Sequence, residues 1–330
     1  MDNKIDDILQ RYPLNVVSQK RARGAVMLCT ENGTYIIKPY EGSRRRLQFQ
    51  RMVQDKLISE GYKNIDEIIM NNDGELSIKD NKGNVWIVKR WYQGEECDIR
   101  DLQEVCMAAS NMARLHQIMV LETDEDNLCY EKDDLYDVFT RHNKEIKRVH
   151  SYIKGKRQKN DMEIKLLNSY HMFYSQGENA ANILKSIGYR NIREYSFENQ
   201  CVAHGNYTYH NVLFKDKHII TTGFEKCVVG VQMMDLYDFV RKVMEKNSWK
   251  TEMGLKVIDS YCDVRMPSDE ECRVLYTLLL YPEKYWKLIN FYYNSRKTWM
   301  SAKNNEKLNK ICEQERDRAE FLESVKRLLF

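Results

Sequence analysis

Hydrophobic and polar positions alternate in two different rhythms along this chain. From Val16 the rhythm is that of strands: RGAVMLCT and TYIIKPY flank Glu31-Asn32-Gly33. Asn32-Gly33 between two β-rich runs predicts a type I′ hairpin, because both central positions of that turn need positive φ. In SRRRLQFQRMVQDKLISEGY, Leu47, Met52, Val53, Leu57 and Ile58 recur at helical spacing. A second hairpin, GELSIKDNKGNVWIVKRWY, turns at Asn81–Asn84, and residues 1–14 predict a short helix that stops before Pro13. A small sheet carrying one helix is the expectation for this part.

QGEECD, Gln93–Asp98, breaks that pattern, and the rhythm afterwards is helical. DLQEVCMAASNMARLHQ and YDVFTRHNKEIKRVHSYIKGKRQK each predict a helix, and MEIKLLNSYHMFYSQGENAANIL predicts another, ending near Tyr189. The exception is Cys201–Phe224, where NVLF and HIITTGF flank a KDK turn; from Met234 the pattern is helical again. The expected fold is therefore α+β and bilobed: a β-rich lobe over 1–94, then a helical lobe over 95–330 with one embedded hairpin. That order of elements is the protein-kinase arrangement.

Composition narrows the class. The chain has 330 residues, 42% hydrophobic and 31% charged; 52 Lys+Arg against 49 Asp+Glu leave +3, which gives no general case for nucleic-acid binding. Nine scattered cysteines without a C-x-x-C pair suit free thiols in a reducing compartment. The start MDNKIDDILQRYPL has no apolar h-region, and no apolar run approaches the roughly 18 residues that span a bilayer. VLYTLLLY, Val274–Tyr281, reads as a buried helix segment. Cytoplasmic synthesis without a membrane partner is expected.

A kinase needs a cation on the phosphates, carboxylate and amide oxygens on metal, and a carboxylate to orient the attacking hydroxyl. Lys38, in TYIIKPY, is the candidate cation; the following helix offers Gln48, Gln50, Gln54 and Asp55 but no glutamate partner, and the first hairpin has only Gly24 at its head. HGNYTYHNVLF has the length and placement of H-G-D-x-x-x-x-N, with His204 and Asn211 in place and Asn206 where the carboxylate belongs. An amide orients a hydroxyl but accepts no proton at neutral pH. In IITTGFEKC, Gly223 stands where a metal-binding aspartate is needed, and Glu225, two residues on along an extended strand, faces the same side as a substitute.

These motifs resemble the spore coat protein S (CotS) family, kinase-fold proteins related to aminoglycoside phosphotransferases and choline kinases. NGTYIIKPY looks like the ATP-lysine strand, KRWYQGEECD like the inter-lobe segment with Gly94 as its glycine, and MARLHQ like the L-A-x-x-H helix end. KEIKRVHSYIKGKRQK, FEKCVVGVQMMDLYDFVRKVMEK and the run from Tyr281 to Glu315 extend the likeness over nearly the whole chain. The resemblance implies Lys38 and Gly94 at the nucleotide, with a catalytic loop over 204–211 and a metal strand over 219–225. Asn206 and His204 would stand at the reacting centre, and Asn211 with Glu225 would be at the metal. It also implies ATP and Mg²⁺ as cofactors, synthesis in the mother cell, and coat proteins as partners.

Because both carboxylate positions are changed, the preferred expectation is a pseudokinase with a structural or assembly role in the coat. The alternatives are a divergent ATP-dependent small-molecule phosphotransferase and a nucleotide-binding pseudoenzyme. Asp235 and Asp238 read as helix caps and packing contacts. The helical spacing of Trp286, Ile289, Tyr293 and Trp299 reads as core, and the basic run Lys144–Lys159 as a solvated connecting helix.

Overall fold

In the computed structural model, residues 3–22, 24–123, 125–216, 218–294 and 302–330 are described. Helix α1 (Asn3–Leu9) leads into β1 (Val16–Ala22), β2 (Ala25–Thr30) and β3 (Gly33–Pro39), followed by α2 (Arg44–Ser59). Then come β4 (Ile68–Ile69), β5 (Ile78–Lys79) and β6 (Val85–Trp91). All six strands form one antiparallel sheet in the order β1-β2-β3-β6-β4, with β5 on the other stretch of β6.

Both faces of this sheet are covered. Ile5, Ile8, Leu9 and Tyr12 pack on Leu28, Tyr35, Ile37 and Val88 of one face. On the other, Leu47 of α2 packs on Ile68 and Ile87. Strand alternation therefore sends Ile36, Lys38, Ile87, Lys89 and Trp91 to the α2 side, and β3–β6 register sets Lys38 opposite Ile87 and Ile36 opposite Lys89. The two lysines are thus diagonal neighbours, with backbones about 7–8 Å apart.

Both hairpins form, but the first turns differently from expectation. Its two loop residues are Glu31 and Asn32; Gly33 already pairs with Thr30 and carries the positive φ, +133°. The Thr30 hydroxyl holds the turn, donating to the Gly33 carbonyl (2.9 Å) and accepting from the Asn32 N–H (3.2 Å). In the second, the Asp80 carboxylate accepts from the Lys82 and Asn84 N–H groups, and Gly83 takes φ +81°.

The chain leaves the sheet through Gln93-Gly94 and enters β7 (Glu95–Glu96), which pairs with β9 (Val212–Lys215); β10 (His218–Thr221) completes a three-stranded sheet in the second lobe. The rest of that lobe is α3 (Leu102–Ile118), α4 (Leu135–Gly155), α5 (Asp161–Ser186), α6 (Tyr189–Glu198), α7 (Met233–Lys246), α8 (Thr251–Cys262), α9 (Asp269–Leu280), α10 (Glu283–Asn294), α11 (Ala302–Glu313) and α12 (Glu315–Leu329). A short β8 (Val202–Ala203) pairs with β11 (Val228–Val229). The helix expected to end near Tyr189 ends at Ser186, and Gly188 in the left-handed conformation (φ +66°) separates it from α6, which the sequence reading did not anticipate. Trp286 stacks on His142, Ile289 is buried and Tyr293 meets Tyr152 edge-on; Trp299 lies outside the described residues.

The lobes are tied together behind the cleft. Phe49, Val53 and Leu57 of α2 join the core of the helical lobe, not that of the sheet. The loop after α2 is stitched to β10 and α3: Thr221 N–H donates to the Asn64 carbonyl (2.9 Å), and Tyr62 donates to Asn111 (2.7 Å). Arg46 donates to the Cys227 carbonyl across the same boundary.

At the far end of the helical lobe, the buried Arg318 satisfies the last carbonyls of α9, donating to Leu279 and Leu280 at 2.7 Å each, and pairs with Glu315 at 3.0 Å. Free carbonyls at a buried helix end are costly, as is a buried carboxylate without its partner. Replacing Arg318 by Met is therefore expected to destabilise the protein by about 3–5 kcal/mol, read as a lower thermal midpoint by circular dichroism; an unchanged midpoint would refute this account of the helix end.

A candidate phosphotransfer cleft between the lobes

The loop His204–Asn211 is held from below. Asp235, buried in the first turn of α7, accepts the N–H groups of His204 (2.6 Å) and Gly205 (2.8 Å) and faces His116 Nε2 at 3.2 Å. Gln232, not Asp235, is the N-cap of α7. The aspartate's task is the loop backbone, which corrects the expected helix cap. Burial opposes its charge, yet the His116 contact and the loop donors outweigh burial and keep its carboxyl below the ordinary range. Gly205 has φ +71°, and a Cβ there would run into the Lys226 carbonyl. The tight turn therefore demands glycine.

His204 does not face the cleft. Its Nε2 bonds the Thr222 carbonyl (3.1 Å) and its Nδ1 accepts the Asn206 N–H (3.2 Å), so both ring nitrogens serve the loop's own geometry. That pattern requires the neutral imidazole. Burial lowers its pKa to about 4. The geometry gives His204 a positioning place, in correction of the place at the reacting centre that the resemblance implied.

Asn206 and Asn211 do reach the cleft, and they are bonded to one another: Asn211 Nδ2 donates to the Asn206 carbonyl at 2.8 Å. The metal strand expected over 219–225 is shorter. β10 ends at Thr221, Gly223 takes φ +87°, and Phe224–Lys226 form a 3₁₀ turn. Glu225 is therefore not an alternate residue on an extended strand; the turn brings it to the cleft by another route. A Cβ at Gly223 would sit 2.7 Å from Asn211 Nδ2, so no side chain fits there unless Asn211 shifts.

Four charges dominate the space between the lobes. Glu225 Oε1 accepts from Lys38 Nζ and from Lys89 Nζ, each at 2.8 Å, and Lys89 also bonds Asp66 Oδ2. Asp66 in turn accepts the Gly223 N–H at 3.0 Å. Lys89 is 2% exposed, whereas Lys38 and Glu225 are 30% and 31% exposed. Burial works against the charge on Lys89, but the Asp66 and Glu225 carboxylates outweigh it and raise the ammonium's hold on its proton. Burial likewise opposes the charge on Glu225, and the two lysines overcome it, holding the carboxyl well below the usual range. The partner of Lys38 thus comes from the other lobe and not from α2, where Gln50 and Gln54 occupy the inner face.

Lys38, Gly94, Asn206, Asn211, Gly223 and Glu225 line one cleft of about 310 Å³ together with Lys89 and Asp66. Gly94 serves close packing: a Cβ there would lie 3.0 Å from the Phe214 carbonyl on β9. Sequence reasoning missed Lys89, Asp66, the His116–Asp235 pair and the loop-holding role of Asp235. Alternation along Val85–Trp91 was a signal that could have placed Lys89 beside Lys38.

The donor set does not fit the Mg²⁺ expected at Asn211 and Glu225. Two ammonium groups share Glu225 Oε1, Gly223 has no ligand atom, and Asn211, whose Nδ2 holds the loop, has only its Oδ1 to offer. Among the described residues, no group of three His, Cys, Asp or Glu side chains could hold a metal.

A six-stranded lobe over a helical lobe, with a lysine-bearing cleft and a histidine-containing loop between them, defines a phosphotransferase-like fold. The structure is similar to that of an aminoglycoside phosphotransferase from Alicyclobacillus acidocaldarius, with a TM-score of 0.86 at 14% identity over 97% of this chain and 95% of that one. It is also similar to a spectinomycin phosphotransferase bound to AMP (0.62; 12% identity; 94% of each chain) and to a microcompartment-associated aminopropanol kinase (0.61; 11%; 98% of each). At these identities the likeness establishes the fold. No curated protein matches the chain by sequence. The chain belongs to the family described as Spore coat putative kinase YutH, matched over residues 5–325, in keeping with the CotS-like resemblance of its motifs.

Two outcomes follow from the loop. Placing Ala at Gly205 is expected to cost about 1–3 kcal/mol in backbone strain alone, plus the collision with Lys226, and a thermal midpoint equal to the parent's would contradict it. The second concerns pH. With His204 at about 4 when folded and near 6.5 when unfolded, the unfolded chain binds more protons between those values. Stability therefore falls as pH drops from about 6.5 toward 4, and His142, also lowered to about 4 by burial, adds in the same sense. The plot of thermal midpoint against pH should be shallower in His204→Gln over that window; an identical slope would remove His204 from the account.

Proposed function

We propose that this chain is a spore-coat-associated pseudokinase: a kinase fold kept as a scaffold for protein contacts in coat assembly, without phosphate transfer. The observation that carries the reading is the neutralised cleft. The two places where transfer needs free carboxylates are Asn206 and Gly223, and the carboxylates beside Gly223, Asp66 and Glu225, are held by Lys38 and Lys89. No carboxylate stands at position 206 to take the proton of an attacking hydroxyl, and none stands at 223 to hold a divalent cation. Family membership supports placement in the coat, with synthesis in the mother-cell cytoplasm and coat proteins as partners. Among the described residues no helix is long and apolar enough to cross a membrane. A second reading, a nucleotide-binding pseudoenzyme, is favoured by one feature: Lys38 remains 30% exposed in an intact cleft.

The test is turnover. Purified protein incubated with ATP and Mg²⁺ or Mn²⁺, with amino alcohols and aminoglycosides as acceptors, should release no ADP above the buffer rate. Acceptor-dependent ADP release, abolished by Lys38→Met, would overturn the pseudokinase reading.

A further inference from the structure

Glu225 deserves a role of its own. It belongs to the helical lobe, and both of its lysine partners belong to the sheet lobe, at sequence separations of 187 and 136 residues. The same 3₁₀ turn region supplies the Gly223 N–H that Asp66 of the sheet lobe accepts. Two ammonium groups pointing at one carboxylate oxygen form a site shaped for an anion, and the anion present is a side chain of the chain itself. A phosphate oxygen makes the same charge-assisted contacts to lysine at similar distances.

We propose that Glu225 is a built-in counter-anion which occupies the phosphate-binding place of the cleft and closes the two lobes on each other. When Glu225 is neutral or displaced, the Lys38–Lys89 pair binds a pyrophosphate-class anion without a divalent metal. The charge balance gives the direction. With Glu225 in place, two ammonium groups face two carboxylates; without it, Asp66 alone opposes Lys38 and Lys89, leaving one positive charge in a confined space where attraction is screened less than in water. Lys89 then supplies, from β6, positive charge that a metal would otherwise bring. The inference rests on the pseudokinase reading only in sharing its cleft.

The experiment is calorimetric titration with inorganic pyrophosphate in EDTA, alongside thermal unfolding with the same ligand. Glu225→Gln, nearly isosteric and neutral, should bind pyrophosphate at least about tenfold more tightly than the parent, a difference of about 1.4 kcal/mol. Adding Lys38→Met to that variant should abolish the gain. Glu225→Asp, which keeps the charge but shortens its reach, gives a folded comparison of intermediate affinity should the Gln variant fold poorly. Equal binding by the parent and both Glu225 variants, or no binding by any, would overturn the proposal. Tight parental binding that needs Mg²⁺ would overturn it too. Phosphate transfer by the parent would instead sink the pseudokinase reading and leave the comparison of Glu225 variants standing, so the two failures are distinguishable.

Discussion

Two lysines cannot be turned into one confined cleft without a counter-charge, and here the counter-charge crosses from the other lobe. Strand alternation and the β3–β6 register put Lys38 and Lys89 on the same face of the sheet. Lys89 is almost wholly buried, so its charge is tolerable only with close partners. Asp66 supplies one from the same lobe; Glu225 supplies the other and serves Lys38 as well. Much of what is unusual in the cleft follows from this requirement. A carboxylate held by lysines has less charge left for a metal, and a lysine held by a carboxylate is less open to phosphate.

The frame around these charges is built from buried polar contacts of conventional kind. Asp235 fixes the loop by its backbone, which leaves the loop's shape independent of which side chain stands at 206. A kinase-like loop geometry therefore persists although the carboxylate is gone. The architecture of the loop and the chemistry of position 206 are separable because different atoms carry them. Asn211 illustrates the drift: its amide bonds the Asn206 carbonyl and fills the space over Gly223, so restoring an aspartate at 223 requires a second movement.

What was legible in the sequence was local. The two hairpins, the α2 helix and the H-G-N loop come from periodicity and turn residues a few positions apart, and the kinase order of the lobes follows from them. Lys38 could be singled out because it ends a strand in the expected place. What escaped was either conformational detail or long-range pairing. Gly33 reads equally well as the second turn residue or the first strand residue, and only the register decides. An extended strand was expected through Gly223, but that glycine's positive φ ends it and starts a 3₁₀ turn. The partnerships of Asp66, Lys89, Glu225 and Asp235 join residues far apart in the chain, and a single sequence carries no signal of who will meet whom. His204 looked chemical because its motif is chemical; its burial, invisible in the motif, makes it a positioning residue.

The central claim is that Glu225 and Lys38 are coupled across the lobes. A double-mutant cycle with Glu225→Gln, Lys38→Met and the double variant, read by denaturant unfolding at low ionic strength, measures that coupling directly. The expected result is a favourable interaction of about 0.5–1.5 kcal/mol that weakens with added salt. Additivity within about 0.3 kcal/mol at all salt concentrations would contradict the account.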